Sequence, residues 1–269
     1  MKKIAVTGYK GKLGSLLVQR PNFVPLGCDI RDIEDINRGL SMADTYGEID
    51  LIVNCASVSS ISKCEEFYDE AIDVNVRGLD NLHTVFGDRV LNISSDHIFS
   101  GNLGDATLPT EETDPDPINA YGFTKMGAEA VSQANEGKTI RLSRTVSWDD
   151  KDIAIPKWLT EVPMFFYRNY IHRQFAVDGI EYFANNYDRM PEIVHYAGTT
   201  NLSQYDFMGK LLVAVGIKSA LISPKTIYHN DPPRPQYGGF SVDLAQSLGF
   251  PMYSVDDTVS KLVEEYARK

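Results

Sequence analysis

Residues 3–7 (KIAVT) form a short apolar run that stops at Gly8, and glycine recurs at Gly11 and Gly14 as residues 12–19 take up helical spacing. This strand, glycine turn and helix constrain the chain more than any other stretch. Gly8 permits a tight turn, Gly11 lets a pyrophosphate approach the backbone without meeting a Cβ, and Gly14 lets the helix pack closely. The start of the helix then offers free N–H donors and the positive end of its dipole. A glycine-rich turn with no ligand is the competing reading, and the flanking strand and helix weigh against it.

The same alternation continues. Residues 23–26, 50–54, 90–94, 139–142 and 193–197 read as strands, and 32–46, 63–86 and 119–133 as helices between them. Apolar strands alternating with helices predict an α/β fold, a Rossmann-type doubly wound parallel sheet covered on both faces. The second half is less regular. Residues 149–170 are aromatic-rich, 175–184 read as a strand-to-helix return, and 203–215 as a helix capped by Ser203. Residues 230–239 (NDPPRPQYGG) read as a loop and 255–266 as a terminal helix. We expect 1–147 to be a dinucleotide-binding domain to which 168–197 return, and 148–269 to be mainly a smaller C-terminal α/β substrate-binding region.

A net charge of −11 argues against nucleic-acid and anionic-membrane partners. The three cysteines, Cys28, Cys55 and Cys64, fit neither a zinc spacing nor a disulfide framework, which predicts a reducing, cytoplasmic setting. The first apolar run is too short for a signal peptide, and no run reaches the length of a membrane span. His83, His172, His195 and His229 are scattered, so no metal site is expected. Oligomeric state stays open, with a homodimer as one expectation.

Tyr121 and Lys125 form the single Y-x-x-x-K of a chain with fourteen tyrosines. On a helix this spacing places both on one face. An ammonium near a phenol is expected to lower the phenol's pKa, so that it exchanges a proton with a carbonyl or alcohol near neutral pH. Ser95 ends the strand VLNISS, at the sheet edge where ligands of open α/β folds bind, and can hydrogen-bond a carbonyl oxygen. A serine there also reads as a turn or cap, and Ser94 would fill that role equally well. Asp29, 21 residues after Gly8, stands where a carboxylate meets an adenosine ribose, which favours NAD(H). Lys10 and Arg31 stand where they would bind a 2′-phosphate, which tips the expectation slightly toward NADP(H). Ordinary surface charge is the alternative for both.

Taken in order, VTGYKGKLG, DIRDIEDI, DLIVNCAS (50–57), AIDVNVRG (71–78), LNISSDHIFSG (91–101), PINAYGFTKMGAE (117–129) and the closing PPRPQYGGFSVDLAQSLGF (232–250) resemble the extended short-chain dehydrogenase/reductases. Within them the closest pattern is that of the dTDP-4-dehydrorhamnose reductases. The resemblance covers most of the chain. It implies reduction of a nucleotide-linked 4-keto-6-deoxysugar in deoxysugar or cell-surface polysaccharide biosynthesis, with Ser95, Tyr121 and Lys125 as catalytic residues. It also implies cofactor contacts from Gly8, Lys10, Gly11, Lys12, Leu13, Gly14, Asp29, Arg31, Cys55, Ala56, Ser57 and Asn75, besides Tyr121 and Lys125. Substrate contacts would come from Ser95, His97 and Arg144. Two of these depart from the family pattern: His97 stands where an aromatic is expected, and Arg144 where a tryptophan is expected. A histidine bonded to its neighbours and an arginine paired with a surface carboxylate are the plainer readings of the two. The interval from Gly8 to Asp29 is also shortened.

Two other functions compete. A cofactor-recycling epimerase or dehydratase would show no net loss of reduced cofactor. His97 replaces the glutamate that usually follows Asp96 in such dehydratases, which disfavours dehydration. A non-catalytic NAD(P)-binding regulatory subunit, of which the family holds an example, would not need Ser95, Tyr121 and Lys125 together.

Overall fold

The computed structural model describes residues 2–101, 107–150, 153, 161–163, 166–217, 223–225 and 232–268. Parts of the aromatic-rich stretch and of the proline-rich loop expected from the sequence lie outside the described residues. Five short apolar segments become β1 (Ile4–Thr7), β2 (Phe23–Pro25), β3 (Leu51–Asn54), β4 (Val90–Ser95) and β5 (Lys138–Leu142). The strands β6 (Thr145–Val146), β7 (Glu161–Pro163), β8 (Tyr167–Asn169) and β9 (Ile171–His172) follow, then β10 (Ile193–Tyr196), β11 (Asn201–Ser203) and β12 (Ser223–Lys225). The central sheet is six-stranded and wholly parallel, in the order β10-β5-β4-β3-β1-β2. The chain steps from β1 to β2 on one side and then to β3 on the other. The carboxyl ends of β1 and β3 therefore diverge at a topological switch point, where such sheets bind ligands.

The strand residues alternate between two cores, as a period of two requires. Ile4, Val6, Leu51, Val53, Leu91 and Ile140 face one cluster. It is completed by α1 (Gly14–Leu17) and by Ala176, Val177, Ile180 and Phe183, which lie on a helix at Arg173–Asn185. Ala5, Ile52 and Val90 face the opposite cluster, which takes Ile36 from α2 (Ile33–Ala43). Leu79 and Leu82 of the helix Gly78–Phe86 join them, with Ala128 of the helix Ala120–Ala134. A third cluster, built from Val146, Trp148, Tyr170, Phe207, Leu211, Val259 and Leu262, lies beyond the sheet.

Three sequence expectations need correction. The first helix is one turn, Gly14–Leu17, not 12–19, because Arg20 N already closes onto Leu17 O and Pro21 cannot donate onward. The long helix expected over 63–86 is broken into α3 (Ile61–Glu66), α4 (Tyr68–Ile72), a π turn at Asp73–Arg77 and α5 (Gly78–Phe86). Phe67, at φ −127° and ψ 59°, makes the first break. Residues 175–184 contain no strand and belong wholly to α7 (Arg173–Asn185), which follows α6 (Ala120–Ala134) in the helix count. Ser203 does cap α8 (Gln204–Ala214), accepting from Asp206 N, and α9 (Asp243–Ser247) and α10 (Val255–Tyr266) complete the chain.

Two polar ties hold the periphery. Glu111 Oε1 accepts from His195 N at 2.8 Å on the outer side of β10, and Pro109 O accepts from Ser241 N at 2.8 Å. Glu265 of α10 accepts from Trp148 N at 2.7 Å and from Ser147 Oγ at 3.0 Å, with His172 Nε2 3.2 Å away. Replacing Glu265 by alanine leaves a partly buried N–H unmet. It is expected to lower unfolding free energy by about 1–3 kcal/mol in denaturant melts, with glutamine losing less. An unchanged midpoint for Glu265→Ala would show that the tie contributes nothing.

Candidate active site

A cavity of about 220 Å³ opens at the carboxyl ends of β1, β3 and β4. Gly11, Lys12, Leu13 and Gly14 line one side, Cys55 and Ser57 another, and Ser95, Tyr121 and Lys125 the far end. Nine of the residues singled out in the sequence thus meet in one place. Gly8, Lys10, Asp29, Arg31, Ala56, Asn75, His97 and Arg144 lie outside its walls.

The glycine turn is sterically obligatory at two of its three positions. Gly8 sits at φ +56°, and a Cβ there would fall 2.6 Å from Ala56 N and Cys55 C. At Gly14 a Cβ would fall 2.5 Å from Gly8 O, so it is the turn itself, not the sheet, that excludes a side chain. Gly11 is exposed, and a Cβ there would meet only Gly8 O, at 3.1 Å. Its outer face is open to close approach. Among the described residues no backbone carbonyl accepts from the N–H of Lys12, Leu13 or Gly14. The turn therefore offers donors, but a single helical turn supplies little of the dipole the sequence led us to expect.

Lys12 Nζ pairs with the buried carboxylate of Asp150, which also accepts from Arg173 Nη2 at 2.8 Å. Lys10 lies over the Tyr9 ring at 5.6 Å. Asp29 and Arg31 hold each other, with Arg31 Nη2 2.6 Å and Nε 3.1 Å from Asp29 Oδ2, and these hydrogen bonds keep the Asp29 carboxyl below its ordinary range. Beyond β3, Thr7 Oγ1 donates to Asn54 Oδ1 at 2.6 Å and accepts from Ala56 N at 3.2 Å, which pins the 54–57 turn. Burial pushes the Cys55 thiol up to about 12, so it stays protonated.

Asn75, in the π turn, has its amide fully committed. Oδ1 accepts from Ser57 Oγ (2.9 Å) and Val58 N (2.8 Å), while Nδ2 donates to Thr124 Oγ1 (2.9 Å) and Val58 O (3.0 Å). It braces the cavity wall against α6 and does not face the cavity.

At the far end Tyr121 is hydrogen-bonded to Ser95, and Lys125 Nζ donates to Ile93 O at 2.9 Å while standing 5.8 Å from the Tyr121 ring centroid. The expectation that the ammonium would lower the phenol's pKa is not met. Burial dominates and raises it, with the Ser95 hydrogen bond opposing, so Tyr121 is a neutral phenol ready to donate. Burial also pulls Lys125 down to about 8. Ser95 Oγ accepts from His97 N at 3.3 Å, so this serine does cap the turn after β4, as one reading had it. Ser94 Oγ is one of three buried side-chain polar atoms without a hydrogen bond among the described residues, with His172 Nε2 and Arg173 Nε.

His97 stands edge-on to Tyr121, with ring centroids 5.6 Å apart. Arg144 follows β5, half-buried, and its charge is felt at His97 along with those of Arg168 and Arg234. Sequence reasoning missed Asn54, Ser59, Ile93, Leu142 and Ser143 among the lining groups. It also passed over Asn119, the cap of α6. An asparagine directly before the helical run, three residues from Gly122, was a readable cap signal. A larger depression of about 550 Å³ lies beside α8 and α10, where Lys210 and Asp256 pair at 3.0 Å, and none of the predicted residues reach it.

A parallel, doubly covered sheet with a glycine turn at its switch point and a phenol and an ammonium beside it defines a Rossmann-type α/β protein of the extended short-chain dehydrogenase/reductase kind. Residues 1–148 match the RmlD substrate binding domain, and the chain belongs to that family. Over 267 residues it is 26% identical to the spore coat polysaccharide biosynthesis protein SpsK of Bacillus subtilis, covering 93% of this chain and 92% of that one. It is 30% identical to methionine adenosyltransferase 2 subunit beta of Rattus norvegicus, over 52% of this chain and 45% of that one. The fold superposes on dTDP-4-dehydrorhamnose reductase from Bacillus anthracis in complex with NADP, with a TM-score of 0.82 and 20% identity over 98% of this chain and 100% of that one. No helix among the described residues is long and apolar enough to cross a membrane.

Proposed function

We propose that this protein reduces a nucleotide-linked 4-keto-6-deoxysugar with NAD(P)H, as a step in deoxysugar or cell-surface polysaccharide biosynthesis. The observation that carries this is the convergence of Ser95, Tyr121 and Lys125 on the cavity that the glycine turn enters. The exposed Gly11 and the unengaged N–H groups of residues 12–14 suit a dinucleotide diphosphate. Residues 148–269 would provide most of the sugar-nucleotide site, with 168–197 completing the cofactor domain. NADPH is the preferred cofactor in this reading, supported by Lys10 and by the NADP bound to the superposed reductase. Arg31 supports it less, since Asp29 holds it.

The reduced nicotinamide, when bound, supplies the hydride. Tyr121, protonated and half-buried, gives its phenolic proton to the oxygen that becomes the new hydroxyl. Ser95 orients that oxygen, and the Lys125 ammonium restores the charge balance around the phenol. Arg144 and Arg234, felt at His97, give an otherwise acidic chain a local cationic field suited to a diphosphate.

A recycling dehydratase needs a free carboxylate here. Asp96 has none to offer: Oδ2 accepts from Ser143 Oγ at 2.8 Å and lies 3.4 Å from Arg168 Nε, and Oδ1 faces Ser95 Oγ at 3.3 Å. A binding-only subunit is favoured by the partial likeness to the adenosyltransferase subunit, and is set against the intact hydroxyl, phenol and ammonium.

The deciding assay supplies NADPH and a dTDP-linked 4-keto-6-deoxysugar. One equivalent of reduced cofactor should vanish per sugar reduced. Sugar conversion without net cofactor loss, or tight cofactor binding with no turnover, would overturn the reading. Because Lys125 titrates at about 8, kcat/KM should be level near neutrality and fall with unit slope above about pH 8. A pH profile that stays level to about pH 10 would show that the ammonium is not required.

A further inference from the structure

The wall beside Tyr121 contains an imidazole with no part in the proton transfer described above. His97 occupies the short turn after β4, its ring inclined 68° to that of Tyr121. Its protonation can be read from its neighbour. Asn119 Oδ1 accepts from Gly122 N at 2.9 Å as the cap of α6, which fixes the oxygen end of that amide. The Nδ2 end donates to Pro233 O at 3.1 Å and to His97 Nδ1 at 3.1 Å. A donor aimed at Nδ1 requires a lone pair there, so the neutral ring carries its proton on Nε2. Among the described residues no group accepts from Nε2, and that atom is not among the enclosed polar atoms left without a partner.

We propose that His97, locked by Asn119 as the Nε2-protonated neutral imidazole, donates a hydrogen bond to a substrate oxygen beside the carbonyl that Tyr121 serves, and so selects oxygen-substituted over amino-substituted sugars. The substrate half of this rests on the reductase reading. His97 is therefore a specificity-determining donor and not a proton shuttle. The surrounding charges agree. Asp96 on the same turn favours an imidazolium, but burial opposes it most strongly, and Arg168 of β8, Arg234 of the 232–242 segment and Arg144 after β5 add to that, holding the ring down to about 4. Protonating Nδ1 would also set two donors against each other at Asn119. A sugar ammonium would meet an N–H within the field of three guanidinium groups, whereas a hydroxyl or carbonyl oxygen can accept.

The lock is tested without substrate by long-range proton–nitrogen NMR of the imidazoles in the full chain. His97 should show the Nε2–H form, with no protonation midpoint above about pH 5.5. Asn119→Ser keeps a capping oxygen but removes the Nδ2 donor, and should mix the tautomers. A wild-type Nδ1–H form, or a midpoint near the ordinary value of about 6.5, overturns the lock. The contact is tested by steady-state kinetics with a dTDP-linked 4-keto-6-deoxysugar and its amino-substituted counterpart. His97→Phe should raise KM for the former about tenfold and narrow the discrimination, with the cofactor dissociation constant unmoved. His97→Gln, which restores an N–H donor, should recover part of the loss. An active His97→Phe enzyme with unchanged KM and discrimination overturns the contact. Wild-type protein that reduces neither sugar overturns the reductase reading and the contact with it, while the tautomer lock stands or falls on the NMR alone.

Discussion

Tyr121→Phe is expected to lower kcat by about three orders of magnitude while leaving reduced-cofactor affinity and melting temperature nearly unchanged. The phenol is hydrogen-bonded to Ser95 and is held neutral by desolvation. General acid catalysis contributes on the order of 100- to 10,000-fold, so its loss raises the barrier by about 3–5 kcal/mol. Phenylalanine fills the same space. Ser95 Oγ keeps Asp96 and His97 N as partners, so no orphaned group remains to destabilise the fold. Single-turnover kinetics with pre-bound cofactor, alongside a thermal melt, separate the effects. A variant that keeps more than about a tenth of wild-type kcat would remove Tyr121 from the acid's role.

Lys125→Met should abolish reduction and raise the melting temperature. The ammonium's pKa falls from the ordinary 10.5 to about 8 in the fold, so the folded state disfavours the charged form. The resulting destabilisation is fully present below about pH 8, and it disappears as pH rises toward 10.5, where the unfolded chain also loses its proton. At neutral pH it amounts to about 3 kcal/mol, from which the lost hydrogen bond to Ile93 O subtracts about 1. A net gain of about 1–3 kcal/mol corresponds to a rise of roughly 3–8 °C for a chain of this size. Calorimetry of both proteins at neutral pH and near pH 10.5 checks the sign, because the gap should close at the higher pH. A methionine variant that is less stable at pH 7 would refute the burial argument. The trade of stability for an active ammonium is typical of functional sites.

The sheet was legible because its strands are short runs of isoleucine, leucine and valine cut off by glycine or polar residues, a pattern that burial on both faces demands. The glycine turn was legible because its spacing carries steric meaning at Gly8 and Gly14. What sequence hid were interruptions that cost no side-chain pattern. The apolar spacing through Phe67, Ala71, Val74 and Leu79 is helical throughout, yet the backbone breaks at Phe67 and widens into a π turn that seats Asn75. Tyr121 shows a different limit. Spacing placed the ammonium near the phenol, but whether charge or burial sets the phenol's pKa depends on enclosure, which arises only when α3 and the 54–58 turn close around it. Asn119 was passed over because a helix cap reads as local, whereas its Nδ2 reaches His97 and, 114 residues on, Pro233.

The hydrogen bond from His195 N to Glu111 has a meaning beyond holding a loop. An outermost strand presents unpaired amides to which any extended chain can add, and proteins that leave them bare tend to join edge to edge. Here the β10 margin is already claimed by a carboxylate and overlain by residues 109–111, and the β2 margin ends after three residues in Pro25, which has no amide hydrogen to offer. Blunted at both borders, the six-stranded sheet presents few free amides to an added strand.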